Sequence, residues 1–359
     1  MSPDVDAPAA ALASPRRLSF LPSPSAWLAA PLLFSMSQAS SRPVSAAPSS
    51  RLVRKHLDAT RCEEFWFHDG SIVLLVGALM FRVHQTVLAT HSEVFADLFI
   101  VPQPPVGTKG QETIEGCPVV LLHDNQTDFT DLLRGIYHPA HFETPPEDLG
   151  DLLSWISGML RLSTKYMIAA LRQRCISVLK ARFPATFADY NAMMAHPQRK
   201  HYKSDDVMRA VRLAQECGLR ELLPYAYYCV ARMGLTRIAT DSAADVSWRE
   251  KAICLVGRER LRWAEMSLSH SFLFAFQPAP RCATPQCAIA RGPQKEWRVL
   301  EAARAPNPLK HFTRWAAMNV CGECIAHAQT QHEAGREEVW QHLPVIFELA
   351  AWEELREQA

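Results

Sequence analysis

The hydrophobic periodicity of the chain changes from that of strands to that of helices, and this change constrains the fold more than any other feature. Apolar runs around glycine turn signals in "EFWFHDGSIVLLVGALMFRVH" predict a short strand near residue 64 and strands over 71–76 and 80–83. A helix over about 85–99 follows, and "CPVVLLHD" predicts another strand over 117–124. This order of elements predicts an α+β domain followed by a helical one.

Later segments have the 3.6-residue periodicity of amphipathic helices. The stretches "QTDFTDLLRGIYH", "EDLGDLLSWISGMLRLSTKY" and "IAALRQRCISVLKARF" each place their large apolar residues on one face. Helices over 205–218 and 222–234 end at glycines, and Ser247 with Glu250 has the spacing of a capping box. No strand pattern interrupts residues 184–270, so we expect an all-α region there.

Residues 1–60 are rich in alanine, serine and proline, and we predict that they form a disordered tail. Such a composition buries too little apolar surface to offset the entropy of ordering. Arginines with few acids resemble a mitochondrial transit peptide, but prolines at 15, 22, 24 and 31 would break its amphipathic helix. We therefore expect a cytoplasmic or nuclear protein rather than an imported one.

Charge and hydropathy narrow the classes of partner. The chain has 38 lysines and arginines against 37 acidic residues, a net charge of +1, which gives no basic field for nucleic acid. No apolar run reaches the roughly 18–20 residues that span a bilayer. We expect neither nucleic-acid binding nor a membrane-spanning segment.

Two histidines, His84 and His91, stand seven residues apart and raise the question of a metal site or an acid–base pair. Two helical turns separate such residues by about 10 Å, which one metal ion cannot bridge. Helical histidine pairs that share a metal are spaced i, i+4. We interpret both histidines as structural, with His84 at the junction between strand and helix.

Catalytic motifs are absent from the sequence. It contains no Gly-x-Ser-x-Gly, no phosphate-binding glycine loop and no His-Glu-x-x-His. Asp124 and Asp128 are close in sequence, but acidic residues between a strand and a helix are usually helix caps. We therefore expect that the protein is not an enzyme.

Four of the ten cysteines crowd the C-terminal part of the chain, as Cys282-x4-Cys287 and Cys321-x2-Cys324. Two such pairs can supply a tetrahedral, all-cysteine zinc site, which is structural because it is closed. His311 and His327 are candidate replacement ligands. Two alternatives stay open: thiols without metal, and a Cys-x-x-Cys redox pair, which lacks the usual βαβ surroundings. The other six cysteines are scattered singly, as buried reduced thiols are.

The last segment, "REEVWQHLPVIFELAAWEEL", predicts a helix, an interruption at Pro344 and a second helix. Trp340, Leu343, Phe347 and Trp352 recur at helical spacing. We expect these residues to pack against the preceding helices.

The stretch "FRVHQTVLATHSEVFADLF" resembles the signature of BTB/POZ domains, in which a strand ending in Phe-x-Val-His leads at once into a helix. Two further stretches, "DLLRGIYH" and "STKYMIAALRQRC", resemble later helices of that family and occur in the expected order. The positions that carry the signature are Phe81, Val83, His84, Leu88, Ser92, Phe95, Tyr137, Lys165 and Tyr166.

The resemblance covers residues 64–183 and implies a mixed α/β domain used for homodimerisation or partner docking, without enzymatic activity. The whole chain is similar to BTB-domain proteins abundant in mushroom-forming fungi, through "PQPP", "GCPVV" and the helical region that follows. We predict a helical extension over 184–270 and a Cys-rich C-terminal module over 271–359, held by zinc.

The same resemblance also implies a second role, that of substrate adaptor for a cullin-type ubiquitin ligase. The chain lacks Kelch or other repeats that would hold a substrate, so this role ranks below simple docking. A transcriptional regulator ranks third, because the cysteine cluster lacks the paired histidines of a DNA-binding finger. A thiol oxidoreductase ranks last and depends on the Cys-x-x-Cys pair alone.

Overall fold

The computed structural model describes residues 59–100, 113–196, 202–240, 247–289 and 304–357. The tail predicted over 1–60 lies outside these residues, apart from its last two. The predicted order of strands and helices is confirmed. A small sheet with helices comes first, and the described residues that follow it form helices and no strand.

Five strands form the sheet in the order β1-β3-β2-β5-β4. They are β1 (Thr60–Trp66), β2 (Ile72–Val76), β3 (Leu79–Val83), β4 (Thr113–Ile114) and β5 (Cys117–Leu122). β2 pairs antiparallel with β3 and parallel with β5, and all of its residues are buried. Burial on both faces explains why its sequence "IVLLV" is apolar throughout instead of alternating. Gly77 turns the β2–β3 hairpin at a φ of +62°, which glycine adopts without strain.

The sheet curls around a small core on the face that the helices do not cover. Val73 and Leu75 are fully buried there. Glu115, in the β4–β5 turn, forms ion pairs with Arg61 at 2.7 Å and with Arg82 at 2.8 Å. Since Arg61 lies on edge strand β1 and Glu115 adjoins edge strand β4, these ion pairs tie the two edges of the sheet together.

Five helices cover the other face of the sheet. They are α1 (Gln85–His91), α2 (Glu93–Ile100), α3 (Gln126–Tyr137), α4 (Leu149–Lys165) and α5 (Ala169–Lys180). Their apolar faces meet the inward residues of the strands in one core, which includes Leu74, Phe81, Phe129 and Leu162. Alternate residues of β2, which point to one face of the sheet, and the apolar stripes of the helices therefore supply the two halves of that core.

The helix predicted over 85–99 is wrong as a single element, because the chain breaks it at Ser92. This residue has an extended backbone, with φ −142° and ψ 119°. Its hydroxyl accepts a hydrogen bond from the Phe95 N–H at 3.1 Å, which caps α2, and donates to the Tyr166 carbonyl at 2.5 Å. A local cap together with a bond to a residue 74 positions away outweighs the local preference for one continuous helix.

The helical region follows α5 in the chain. Its elements are α6 (Phe187–Ala195), α7 (Ser204–Glu216), α8 (Leu223–Ala231), α9 (Leu235–Thr240) and α10 (Trp248–Ala264). The predicted capping box at the start of α10 is confirmed, with both Ser247 and Glu250 bonded to the other's backbone N–H. The core of this region is rich in aromatic rings, among them Tyr190 and Tyr225.

The α-helices described after α10 are α11 (Ser271–Phe274), α12 (Pro285–Ile289), α13 (Gly322–Ile346) and α14 (Trp352–Glu357). The predicted interruption at Pro344 is wrong, since α13 runs through it to Ile346. Proline lacks the N–H that would bond the Trp340 carbonyl one turn earlier. The Trp352 indole N–H donates to that carbonyl instead, at 3.0 Å, so the buried oxygen keeps a partner.

Among the helices in the described residues, none combines the length and the apolar character needed to cross a membrane.

Candidate metal centre and interaction domain

Four cysteines, Cys282, Cys287, Cys321 and Cys324, meet in the folded chain, and all four Sγ atoms lie within 4.8 Å of one another. Two arms of the chain bring them together. The first arm consists of α12 and the residues just before it, and it carries Cys282 and Cys287. The second arm is the start of α13, with Cys321 and Cys324. Residues far apart in sequence therefore form one cluster of thiols.

The spacing of the sulfur atoms fits a tetrahedral metal. Cys282 and Cys321, one from each arm, have their Sγ atoms 3.7 Å apart. Zinc bound to sulfur at about 2.3 Å in a regular tetrahedron places its ligands about 3.8 Å from each other. A disulfide would require a distance of about 2.05 Å, so these thiols are spaced as ligands and not as a bonded pair.

Backbone N–H groups point at the cluster. The Ala279 N–H donates to Cys324 Sγ, and the Cys321 N–H donates to Cys287 Sγ, each at 3.3 Å. Cys321 and Cys324 also lie at the N-terminus of α13, where the helix dipole favours negative charge. These donors stabilise sulfur as thiolate, the form that binds a metal.

The pKa values of the second arm differ between its two thiols. A hydrogen bond from the Cys324 backbone N–H lowers the pKa of Cys321 to about 6, and burial raises the pKa of Cys324 to about 12. Thiolates this close together would repel each other, which opposes ionisation of all four thiols, and a divalent cation would remove that repulsion. The cluster is therefore positioned to bind a metal and has the donor set for it.

The two histidines weighed as replacement ligands lie elsewhere. His327 is hydrogen-bonded to Gln331 at 3.1 Å, and His311 lies 3.2 Å from Glu333. His311, His332 and Glu333 form a second group with metal-like spacing. However, both ring nitrogens of His332 already bond the backbone, at Ser269 O (2.6 Å) and at the Phe312 N–H (3.0 Å). These backbone hydrogen bonds account for the position of His332, so we do not propose this group as a metal site.

The six scattered cysteines belong to the protein interior or its margins. All ten cysteines are free of disulfides. Burial raises the pKa of Cys175 and of Cys254 to about 12 and that of Cys217 to about 11. Thiols that stay protonated at neutral pH are poor nucleophiles, and none of these six cysteines belongs to a group with metal-like spacing among the described residues.

His84 and His91 do not meet. His84 Nε2 lies 3.2 Å from Asp69, and its Nδ1 lies 3.2 Å from the Tyr137 hydroxyl, which also accepts the His84 backbone N–H. The hydrogen bond from His84 lowers the pKa of Asp69. His91 is exposed at the end of α1. The structure thus places His84 as a connector between the β1–β2 turn and α3.

A second connector joins the end of α4 to the rest of the domain. The Tyr166 ring stacks on Phe95 with centroids 4.4 Å apart, and its hydroxyl donates to Asp124. Lys165 reaches the same carboxylate at 2.5 Å. Burial raises the pKa of Tyr166, so its hydroxyl stays a donor. The interpretation of Asp124 as a helix cap is wrong, because Asn125 caps α3 and Asp124 holds the two signature residues.

The remaining signature residues are apolar and buried. Phe81, Val83 and Leu88 are fully buried in the core between sheet and helices. The signature positions therefore act by fixing the fold of the domain. Sequence reasoning missed Asp69 and the Ala279 N–H, because a turn carboxylate and a backbone donor have no pattern that marks them.

Replacing Ser92 with alanine should test how much the two hydrogen bonds of its hydroxyl stabilise the domain. The change removes the cap of α2 and leaves the buried Tyr166 carbonyl without its donor, so we expect a loss of about 2–3 kcal/mol in the free energy of unfolding. Urea denaturation followed by circular dichroism measures it. Thr90→Ala, one helix earlier, removes an exposed hydroxyl that bonds Thr86 O and should cost under about 0.5 kcal/mol. Equal effects of the two changes would contradict the assignment.

Comparison with known families agrees with this architecture. The model of the BTB/POZ domain matches residues 58–182, which hold the curled sheet and helices α1 to α5. No curated protein matches the chain closely enough to serve as a relative. BTB/POZ domains mediate self-association or the binding of other proteins. Residues 58–182 of this chain are therefore a BTB/POZ domain, followed by helices and a cluster of four cysteines.

Proposed function

We propose that this chain is a non-catalytic interaction protein that dimerises, or docks a partner, through residues 58–182. The observation that carries the proposal is the match of this segment to the BTB/POZ domain. The polar side chains of its signature are occupied with one another, as with His84, Tyr137 and Asp69. Polar side chains that bond one another inside the domain are not available to a substrate, so they support a binding scaffold better than a catalytic site.

Self-association should appear in the mass of the intact chain. We expect light scattering after size exclusion to give twice the chain mass of 40.3 kDa at tens of micromolar protein. Dilution should lower that mass toward one chain, with a midpoint that gives the dissociation constant. A chain that stays monomeric up to several hundred micromolar would remove the dimer from the proposal and leave the docking of other proteins.

The metal of the cluster is proposed to be zinc, held by Cys282, Cys287, Cys321 and Cys324. Thiolate ligands select soft ions, and zinc accepts four of them in a closed tetrahedron. With all four positions taken by the protein, the ion would have no place for water or substrate. Bound zinc would link the two arms and stabilise the fold, without taking part in a reaction.

A narrower role as substrate adaptor for a cullin-type ubiquitin ligase belongs to the same proposal. The BTB/POZ domain supports it. Retention of a purified cullin on immobilised full-length chain is the direct test, and the Ser92→Ala variant provides a weakened domain for comparison. No retention at micromolar concentrations of both proteins would remove this role and leave self-association untouched.

The six singly scattered cysteines, which form no disulfide, support a reducing compartment, and we propose that the protein acts in the cytoplasm or the nucleus. Fluorescence microscopy of the tagged full-length chain tests this placement, and accumulation in mitochondria would contradict it.

A further inference from the structure

The four clustered cysteines differ in their access to solvent. Cys287 and Cys324 are each 1% exposed, whereas Cys282 and Cys321 are partly exposed. The accessible pair is made of one cysteine from each arm. The cluster therefore has an inner pair and an outer pair, and the outer pair does not follow the Cys-x-x-Cys grouping that the sequence suggests.

The outer pair is also in direct contact. Cys282 Sγ and Cys321 Sγ lie 3.7 Å apart, although the two residues are 39 positions apart in the sequence. A disulfide bond of about 2.05 Å would need the sulfur atoms to approach by about 1.7 Å. Cys282 belongs to the stretch before α12, and Cys321 precedes the first turn of α13, so neither lies inside a helix that would resist this shift.

We propose that Cys282 and Cys321 form a modification site for hydroperoxides, at which oxidation joins the two arms by a disulfide and releases the metal. Only the release of metal rests on the proposed zinc site. The choice of cysteine pair rests on exposure and contact. It differs from the pair that the sequence offered as a redox alternative, Cys321 with Cys324.

The reaction balances with a hydroperoxide, ROOH, as the oxidant. One thiolate attacks the O–O bond, which breaks to give a sulfenic acid and, after protonation, ROH. The second sulfur then attacks the sulfenic sulfur, the S–S bond forms, and the hydroxide that leaves takes up a proton as water. Two thiols and ROOH thus give one disulfide, ROH and water. The sulfurs supply two electrons, and the cation loses two of its four ligands.

Access explains why Cys324 is a poorer partner. Oxidation of cysteine follows thiolate character and exposure. Cys324 is buried, and its sulfur accepts a hydrogen bond from the Ala279 N–H. A Cys321–Cys324 disulfide would also have to break this bond and distort the first turn of α13, while Cys282 faces Cys321 already.

The test uses the full-length wild-type chain. Zinc content is measured first, then hydrogen peroxide is added in stoichiometric steps while released zinc is followed with a colorimetric chelator. Free thiols are then alkylated, the chain is digested with trypsin, and linked peptides are identified by mass spectrometry. Residues 282–291 and 315–336 each hold two of the cysteines, so fragment ions must assign the linkage.

We expect the Cys282–Cys321 linkage to exceed the Cys321–Cys324 linkage by roughly tenfold, with zinc lost in step and regained after thiol reduction. Cys282→Ser should abolish the disulfide between the arms, and the Cys287→Ser, Cys324→Ser double variant should keep it. A dominant Cys321–Cys324 linkage, or sulfinic acid without any disulfide, would overturn the inference. Folded protein free of zinc at the outset would instead overturn the proposed zinc site, and the linkage would still be measured.

Discussion

Cys321→Ser should leave the purified chain almost without zinc, while the wild-type chain carries about one ion per molecule. The serine hydroxyl is not a thiolate at neutral pH and cannot replace the fourth soft ligand. Since Cys321 is partly exposed, the change is tolerated sterically, so loss of metal and not loss of packing dominates the effect. Elemental analysis of protein purified without added chelator gives the stoichiometry.

Loss of zinc should also loosen the arm that carries Cys282 and Cys287. Apart from its thiols, that arm has only a small core, with Ala279 as its buried aliphatic residue. Structural zinc contributes about 10–16 kcal/mol of apparent binding free energy in small zinc domains, so its removal should expose the segment. Trypsin should then cut after exposed Arg281 at least about tenfold faster in Cys321→Ser than in wild type.

Cys62→Ser is the matched control, because Cys62 is partly buried and lies in the BTB/POZ domain, away from the cluster. It should retain full zinc and the wild-type rate of cleavage. Full zinc in Cys321→Ser, or none in folded wild type, would contradict the metal centre. Equal zinc loss in both variants would indicate a general effect of purification.

Local patterns predicted those parts of the fold whose causes are local. The apolar run around Leu74, the capping box at Ser247 and the helical stripe of α4 each depend on residues close together in the sequence. The break at Ser92 was not predictable in this way, because the bond that fixes it goes to Tyr166. Continuation of α13 through Pro344 likewise depends on the Trp352 indole, which reaches back from the next helix.

The candidate metal site was predictable in composition but not in arrangement. Spacing singled out the four cysteines because paired thiols on short turns are uncommon without a reason. It could not show which of them would be exposed, since the burial of Cys287 and Cys324 depends on how the two arms approach. The sequence groups Cys282 with Cys287 and Cys321 with Cys324. Exposure instead groups one cysteine of each sequence pair with one of the other.

The C-terminal helix is expected to contribute strongly to stability through one side chain. Trp340 of α13 is fully buried, and its ring lies 5.3 Å from Tyr190, 5.9 Å from Tyr225 and 5.6 Å from Trp352, measured between centroids. The rings come from α6, α8 and α14. Trp340 therefore joins the helical region to the last two helices of the described chain.

Trp340→Ala should lower the free energy of unfolding by about 3–5 kcal/mol, because it removes a buried aromatic ring and leaves a cavity among three others. Trp340→Phe should cost clearly less, since it keeps a ring and removes an indole N–H that has no hydrogen-bond partner in the described structure. Trp248→Ala, at an exposed tryptophan of α10, should change stability by under about 0.5 kcal/mol. Urea denaturation monitored by circular dichroism compares the three. If Trp340→Ala resembled Trp248→Ala, α13 would not share the core of the helical region, and its unfolding would appear as a separate, earlier transition.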